Sequence, residues 1–182
     1  MTAPLRILEL NPAKLHFYFP FIRRGLEDIL RKNTPRKMRV GPSHEAVPLP
    51  DVLVNTKVRY RPEDVYAALA YNRATAYLVS RNRRLLGFFI VHPQPINFTD
   101  KTELFLWTAW ALPIRERRPQ DDFPDAIRRS IAFLAALKEH GKHAELTMLT
   151  MRPGFLRREP YRQWFEPQFT SFFLKDSQFV KA

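Results

Sequence analysis

Three arginines crowd the stretch Pro113-Ile-Arg-Glu-Arg-Arg-Pro-Gln-Asp-Asp-Phe123, and Asp121, Asp122 and Asp125 follow them. Guanidinium groups grip phosphate through forked, charge-assisted hydrogen bonds, so Arg115, Arg117 and Arg118 are candidates for holding a phosphate-bearing ligand by side chain. The stretch contains no glycine, and Pro113, Pro119 and Pro124 each lack a backbone donor. A second basic run carries Arg31, Lys32, Arg36, Lys37 and Arg39 with no acid between residues 31 and 42. Such a run is either a solvated loop or an arm that touches nucleic acid or an acidic protein face. His140 and His143 are three apart, but Gly141 breaks a helix between them and no third ligand is indicated, so no metal site is expected. The chain has no cysteine, which excludes disulfides, thiolate metal sites and a cysteine nucleophile. It also has no Walker loop and no serine in a nucleophile-elbow pattern.

The elements that must position these groups are legible in outline. Leu5–Glu9 reads as a first strand. Asn11-Pro12 then suits a helix start, and Leu15, Phe19, Ile22, Leu26, Ile29 and Leu30 recur at helical spacing. Pro20 must kink that helix or restart it. Residues 31–60 form a basic, proline-rich insertion. Pro62-Glu-Asp opens a short helix running to about Tyr71. Ala74–Ser80, the polar turn Arg81–Arg84 and Leu85–Val91 read as a hairpin, with Gly87 marking a bulge or a close backbone approach and Pro93 and Pro95 ending the strand.

Glu103–Leu112 is almost wholly apolar and reads as a central strand covered on both faces. Asp122 is a suitable N-cap for a helix whose face is Phe123, Ile127, Ile131, Leu134 and Leu137, with Gly141 as its C-cap. Ala144–Thr150 follows as a strand. A helix separates it from Glu103–Leu112, so the two are expected to be parallel. A short helix near Phe155–Tyr161 and a last strand at Gln168–Leu174 complete the order. Phe88, Phe89, Phe105, Trp107 and Trp110 are most simply core. Trp164 and one of Phe172 and Phe173 are candidates for a protein-contact patch, with packing over the core as the simpler role.

This order resembles the GNAT superfamily of N-acetyltransferases. Ala74–Val91 is similar to that family's second and third strands, Glu103–Leu112 to its fourth, Pro124–His140 to its cofactor helix and Ala144–Thr150 to its fifth strand. Tyr161-Arg-Gln-Trp-Phe-Glu-Pro-Gln-Phe resembles its segment of tyrosine, Gly-Phe and closing strand. The resemblance implies an α/β (α+β) fold: a single domain over residues 1–182 with a mixed, mostly antiparallel sheet flanked by helices. The parallel pair would be Glu103–Leu112 with Ala144–Thr150. It also implies a site for acetyl-CoA at the loop before the long helix, where the family presents glycine-rich backbone amides to the pyrophosphate. Here Arg118 and Gln120 stand at the small-residue positions. Tyr161 falls near the family's tyrosine acid and Glu103 at the start of the strand where some members carry a general base. The simpler readings are a surface tyrosine and a strand-end glutamate.

Thirty Lys+Arg against eighteen Asp+Glu leave a net charge of +12, which favours an acidic partner. Together with the glycine-free loop, this gives a leading expectation of a GNAT-like protein that has lost its cofactor site. It would bind other proteins of an assembly, or DNA, and resembles structural or internal virion proteins of tailed bacteriophages. An active acetyl-CoA-dependent N-acyltransferase is the second expectation, and a basic nucleic-acid-binding module the third. Met1-Thr-Ala-Pro-Leu-Arg lacks a signal-peptide pattern and the apolar run Leu104–Ile114 is too short to span a bilayer. The expected setting is the cytoplasm or a particle assembled there.

Overall fold

The computed structural model describes residues 4–33, 38–39, 46–47, 61–96 and 99–148. The chain divides into two compact units, Met1–Met151 and Arg152–Ala182, and every described residue belongs to the first. Tyr161, Trp164, Phe172, Phe173 and the strand expected at 168–174 lie outside the described residues, as do Arg36 and Lys37.

Five strands form the main sheet in the order β1 (Arg6–Glu9), β4 (Thr75–Arg81), β5 (Arg84–Pro95), β6 (Thr102–Ala111) and β7 (Glu145–Met148). Among the described strands only β6 and β7 pair in parallel, as the intervening helix requires. Two short strands, β2 (Met38–Arg39) and β3 (Ala46–Val47), form a separate antiparallel ladder inside the basic insertion. Three helices complete the described residues: α1 (Leu15–Asn33), α2 (Pro62–Ala70) and α3 (Phe123–His140).

Helices α1 and α3 cover opposite faces of the sheet. Successive strand residues point to opposite faces. Phe88 meets Phe21 of α1 and its neighbour Phe89 meets Phe133 of α3, with ring centroids 6.3 and 6.1 Å apart. Leu15, Ile22 and Leu26 bury the inner stripe of α1; Phe123, Ala126, Ile131 and Leu134 bury that of α3. Each such side chain contributes roughly 1.5–3 kcal/mol when fully withdrawn from water. Gly25 lets α1 lie flush on the sheet, because a Cβ there would stand 2.4 Å from Phe88 Cε1. The helix begins as expected, with the Asn11 side chain accepting from Ala13 N–H, and it runs through Pro20 without a restart. It also runs on through Arg31 and Lys32, which the sequence assigned to the extended insertion.

Two further expectations are revised. Strand β5 continues through Pro93 and Pro95 rather than ending before them. Its pairing with β4 stops at Thr75↔Val91, so beyond that point one side of β5 is an edge. Proline is tolerated where its missing N–H faces away from the ladder, and prolines two apart face the same way. Strand β6, in turn, is not covered along its whole length. Leu104, Leu106, Thr108 and Trp110 are buried, but Glu103, Phe105 and Trp107 are only partly so.

Candidate functional site

The hairpin between β4 and β5 turns on Asn82 and Arg83, both with positive φ, 52° and 61°. This two-residue turn sends Arg81 and Arg84 toward the loop before α3, which folds as two short 3-10 turns, Ile114–Glu116 and Pro119–Asp121. Arg81, only 4% exposed, donates to the Asp121 carbonyl at 3.0 Å and to the Asp125 carboxylate, and lies 3.6 Å from the Asp122 carboxylate. Arg84 donates to the Asp121 carboxylate and to the Glu116 carbonyl. The glycine-free loop is thus clasped from beneath by two arginines of the hairpin.

The same loop uses its own amides. Arg118 N–H donates to Asp121 Oδ2 at 2.8 Å, Asp121 N–H to the Arg118 carbonyl at 2.9 Å, and Asp125 N–H to Asp122 Oδ1 at 3.3 Å. Ala126 N–H begins the helical ladder on the Asp122 carbonyl. Asp122 holds its capping position with φ of 44°, a left-handed conformation that Asp tolerates better than most residues. The positive end of α3 therefore faces its own carboxylates. Partial burial works to raise the Asp125 pKa. Hydrogen bonds from Arg81 and then Arg129, with their charges, outweigh this and hold it below the ordinary carboxylate value. Backbone amides so committed do not fit the pyrophosphate of coenzyme A in the manner that glycine-rich loops do.

The three loop arginines take different places. Arg117 is committed inward: its Nε donates to the Leu112 carbonyl at 2.8 Å and its guanidinium lies 4.1 Å from the Phe123 ring centroid. Arg115 and Arg118 are exposed, Arg115 with Glu116 at 4.0 Å. Beside them Arg128 and Arg129 stand over Asp125 at 3.7 and 3.1 Å. Arg115 and Arg118 thus offer exposed side-chain charge to an anion. Of the basic insertion, Arg31 pairs with the buried Asp28 of its own helix at 2.9 Å, Lys32 lies in α1 and Arg39 in β2.

Glu103 lies at the other end of β6, accepting from the Gln94 side chain across the β5 ladder. Between the two ends the β5–β6 register shifts: Ile90 pairs with Thr108 but Val91 with Leu106, leaving Trp107 as an extra residue. This is a β-bulge, a device that bends a strand and re-aims its side chains. The described pairing with β7 runs from Glu103↔Glu145 to Leu106↔Met148. Trp107 is expected in the core from sequence, and no glycine marks the bulge. The sequence likewise shows Arg81 and Arg84 only as parts of a polar turn. Among the described residues no cluster of three His, Asp or Glu is placed to hold a metal, and no helix is long and apolar enough to cross a membrane.

No protein-family model matches the chain, and no curated protein matches it in sequence. Solved structures do match in fold. A possible acetyltransferase from Clostridium difficile 630 superposes with a TM-score of 0.58 at 8% identity, over 94% of this chain and 97% of that one. Ribosomal-protein-alanine N-acetyltransferase from Brucella melitensis biovar Abortus 2308 gives 0.57 at 14% identity, over 94% and 99%. AAC(6')-Iy, solved with the bisubstrate analogue CoA-S-monomethyl-acetylneamine, gives 0.55 at 15% identity, over 95% and 98%. The chain has the GNAT-like fold, a five-stranded, mostly antiparallel sheet flanked by helices with one parallel pair.

Proposed function

We propose that this protein is an acyl-CoA-dependent N-acyltransferase that holds the cofactor's phosphates with arginine side chains rather than with the amides of α3. The observation that carries this reading is the Trp107 bulge, four residues beyond Glu103 on the strand that leads into the arginine-bearing loop. A bulge bends a strand and re-aims its side chains, and bulges are frequent next to active sites. The structural neighbours bear acetyltransferase names, and one was solved with a coenzyme A conjugate of its substrate, which supports the same choice.

When bound, acyl-CoA supplies an activated thioester carbonyl. The chain's own residues bring the rest. Arg115 and Arg118 attract the phosphates. Glu103, oriented by Gln94, takes a proton from the acceptor amine directly or through water. Tyr161 is the candidate acid for the departing thiolate. Calorimetric titration with acetyl-CoA, paired with a thiol-release assay over a panel of amines, tests the reading. Binding that weakens with salt and with Arg115→Gln/Arg118→Gln, together with turnover that falls in Tyr161→Phe, is expected. No acetyl-CoA binding even at low salt would overturn it.

A second reading is favoured by one specific observation, the committed amides and acids at the α3 N-terminus. On that reading the fold is kept as a non-catalytic binding component, contacting an acidic protein surface or DNA through its basic surface, as a virion protein would. It predicts no acetyl-CoA binding, and binding to a polyanion that falls steeply with salt.

A further inference from the structure

We infer that the end of the sheet carrying the β4–β5 turn is a docking face for the phosphate backbone of duplex DNA. This face gives the second reading above its place and its partner, and it rests on that reading of a basic binding surface. Four parts of the fold reach the same end. Arg6 opens β1 opposite Ser80, next to the turn, and Arg83 is the turn's second residue. Arg115 and Arg118 lie on the loop that leaves β6 beside the start of β5, where Leu112 N–H donates to the Leu86 carbonyl. Arg128 and Arg129 stand on the first turns of α3, tied to this end through Asp125 and Arg81. All six arginines are exposed. The acids here are matched from within: Asp121 by Arg84, Asp125 by Arg81 and Glu116 by Arg24 of α1. The buried clasp is thus spent on the fold, whereas Arg6, Arg83 and Arg118 have no ionic partner among the described residues.

Residue type points to phosphate. The four lysines whose side chains are described, Lys14, Lys101, Lys138 and Lys142, lie toward the opposite end of the sheet. Arginine's planar fork matches two phosphate oxygens, where an ammonium offers a point charge. The turn, too, places charge above local geometry. A two-residue hairpin turn with positive φ at both positions suits Asn-Gly; Asn82 is in place, but Arg83 holds the glycine position at a φ of 61°. Its side chain stays exposed, so packing does not explain the choice. Protein interfaces centre on apolar residues. Among the described residues of the turn, the loop and the start of α3, Ile114 is the one large exposed apolar side chain. No exposed aromatic ring stands among them for bases to stack on, which favours a duplex over a single strand. Arg6 and the loop after β6 lie three strand spacings apart, roughly 14 Å, close to the ~12 Å width of the B-form major groove and so to the phosphates on its two sides. An RNA duplex narrows that groove.

The test titrates the intact protein into a labelled DNA duplex of about 20 base pairs, following anisotropy from about 50 to about 200 mM salt. Each phosphate contact contributes roughly −0.9 to the slope of log affinity against log salt, so a slope of about −4 to −5 is expected. Arg6→Gln and Arg83→Gly should each weaken binding and reduce the size of the slope by about 1, while Lys101→Gln and Lys142→Gln leave it unchanged. Arg83→Gly restores the residue that the turn favours, so its thermal midpoint should hold or rise while affinity falls. No duplex binding at about 50 mM salt, or an equal loss from the lysine variants, overturns the face. So does tighter binding of the matching single strand, of an RNA duplex or of polyglutamate. Acetyl-CoA turnover would end the non-catalytic part of the second reading and leave duplex binding untouched. Binding of polyglutamate alone would keep that reading and remove the DNA face.

Discussion

The two ends of β6 contrast in how they treat polar groups. At the C-terminal end, arginines, carboxylates and loop amides pair densely, Arg81 and Arg84 below with Asp121, Asp122 and Asp125 above, although Arg81 Nε is buried without a hydrogen-bond partner. At the N-terminal end, Glu103 accepts from Gln94, the Thr147 hydroxyl has no hydrogen-bond partner among the described residues, and the rings of Phe105 and Trp107 stay partly exposed. A densely paired network contributes stability and leaves little for a ligand. A partly satisfied one keeps its interactions in reserve. The comparison assigns stability to the buried clasp at the loop end and substrate recognition to the Glu103 end.

The sharpest way to break it is Arg81→Ala. The change takes the buried guanidinium partner from the Asp125 carboxylate and a donor from the Asp121 carbonyl, and breaking a buried pair leaves uncompensated charge. A loss of about 3–5 kcal/mol in urea unfolding is expected. A loss under about 1 kcal/mol would show that the clasp is dispensable and that the loop is free to be rebuilt around a ligand.

Gly87→Ala probes the same end through packing. The β4–β5 register skips Leu86 beside Gly87, and a Cβ at Gly87 would lie 2.4 Å from the Trp110 carbonyl oxygen, a backbone atom that cannot swing aside. A cost of about 1–3 kcal/mol is expected by thermal or urea unfolding. The bulge and close approach at this glycine were readable from sequence because glycine is the residue that permits both.

Much of the fold was legible for comparable reasons. Asn11-Pro12, Pro62, Asp122 and Gly141 punctuate the helices, and the apolar spacing of α1 and α3 marks their buried faces. What escaped notice was set by tertiary partners. Nothing local distinguishes Arg81 from the exposed Arg83 two residues on. Their difference arises because one side chain meets the acids at the start of α3. The prolines of β5 misled because their tolerance depends on β4 ending at Thr75, a fact of the neighbouring strand. The bulge at Trp107 was invisible because bulky residues can occupy bulges too, and only register reveals them. The glycine-free loop is held by arginines that lie in another element, Arg81 and Arg84 of the hairpin.

The pH dependence separates the ends more finely. The folded-state pKa of Asp125 is lowered from its ordinary value of 3.8. Its pairing therefore contributes fully above that value and is lost as pH falls through the lower, folded one. Asp125→Asn should flatten the fall in stability below pH 3.8, measured by urea midpoints across an acid series. An unchanged acid slope would place the acid sensitivity elsewhere in the clasp.

The smallest effect on stability, and the one that best sharpens the comparison, belongs to Glu103→Gln. The replacement keeps the side-chain carbonyl that accepts from Gln94 and removes only the charge. Surface substitutions of this kind shift stability by about 0.5 kcal/mol or less. If Glu103 takes the amine's proton, turnover should nonetheless fall by roughly 10²–10⁴-fold, with a smaller change in acetyl-CoA affinity measured by calorimetry. A variant as active as the parent would remove Glu103 from the proton path. A variant destabilised by about 2 kcal/mol would show that this end of β6, too, spends its polar groups on the fold.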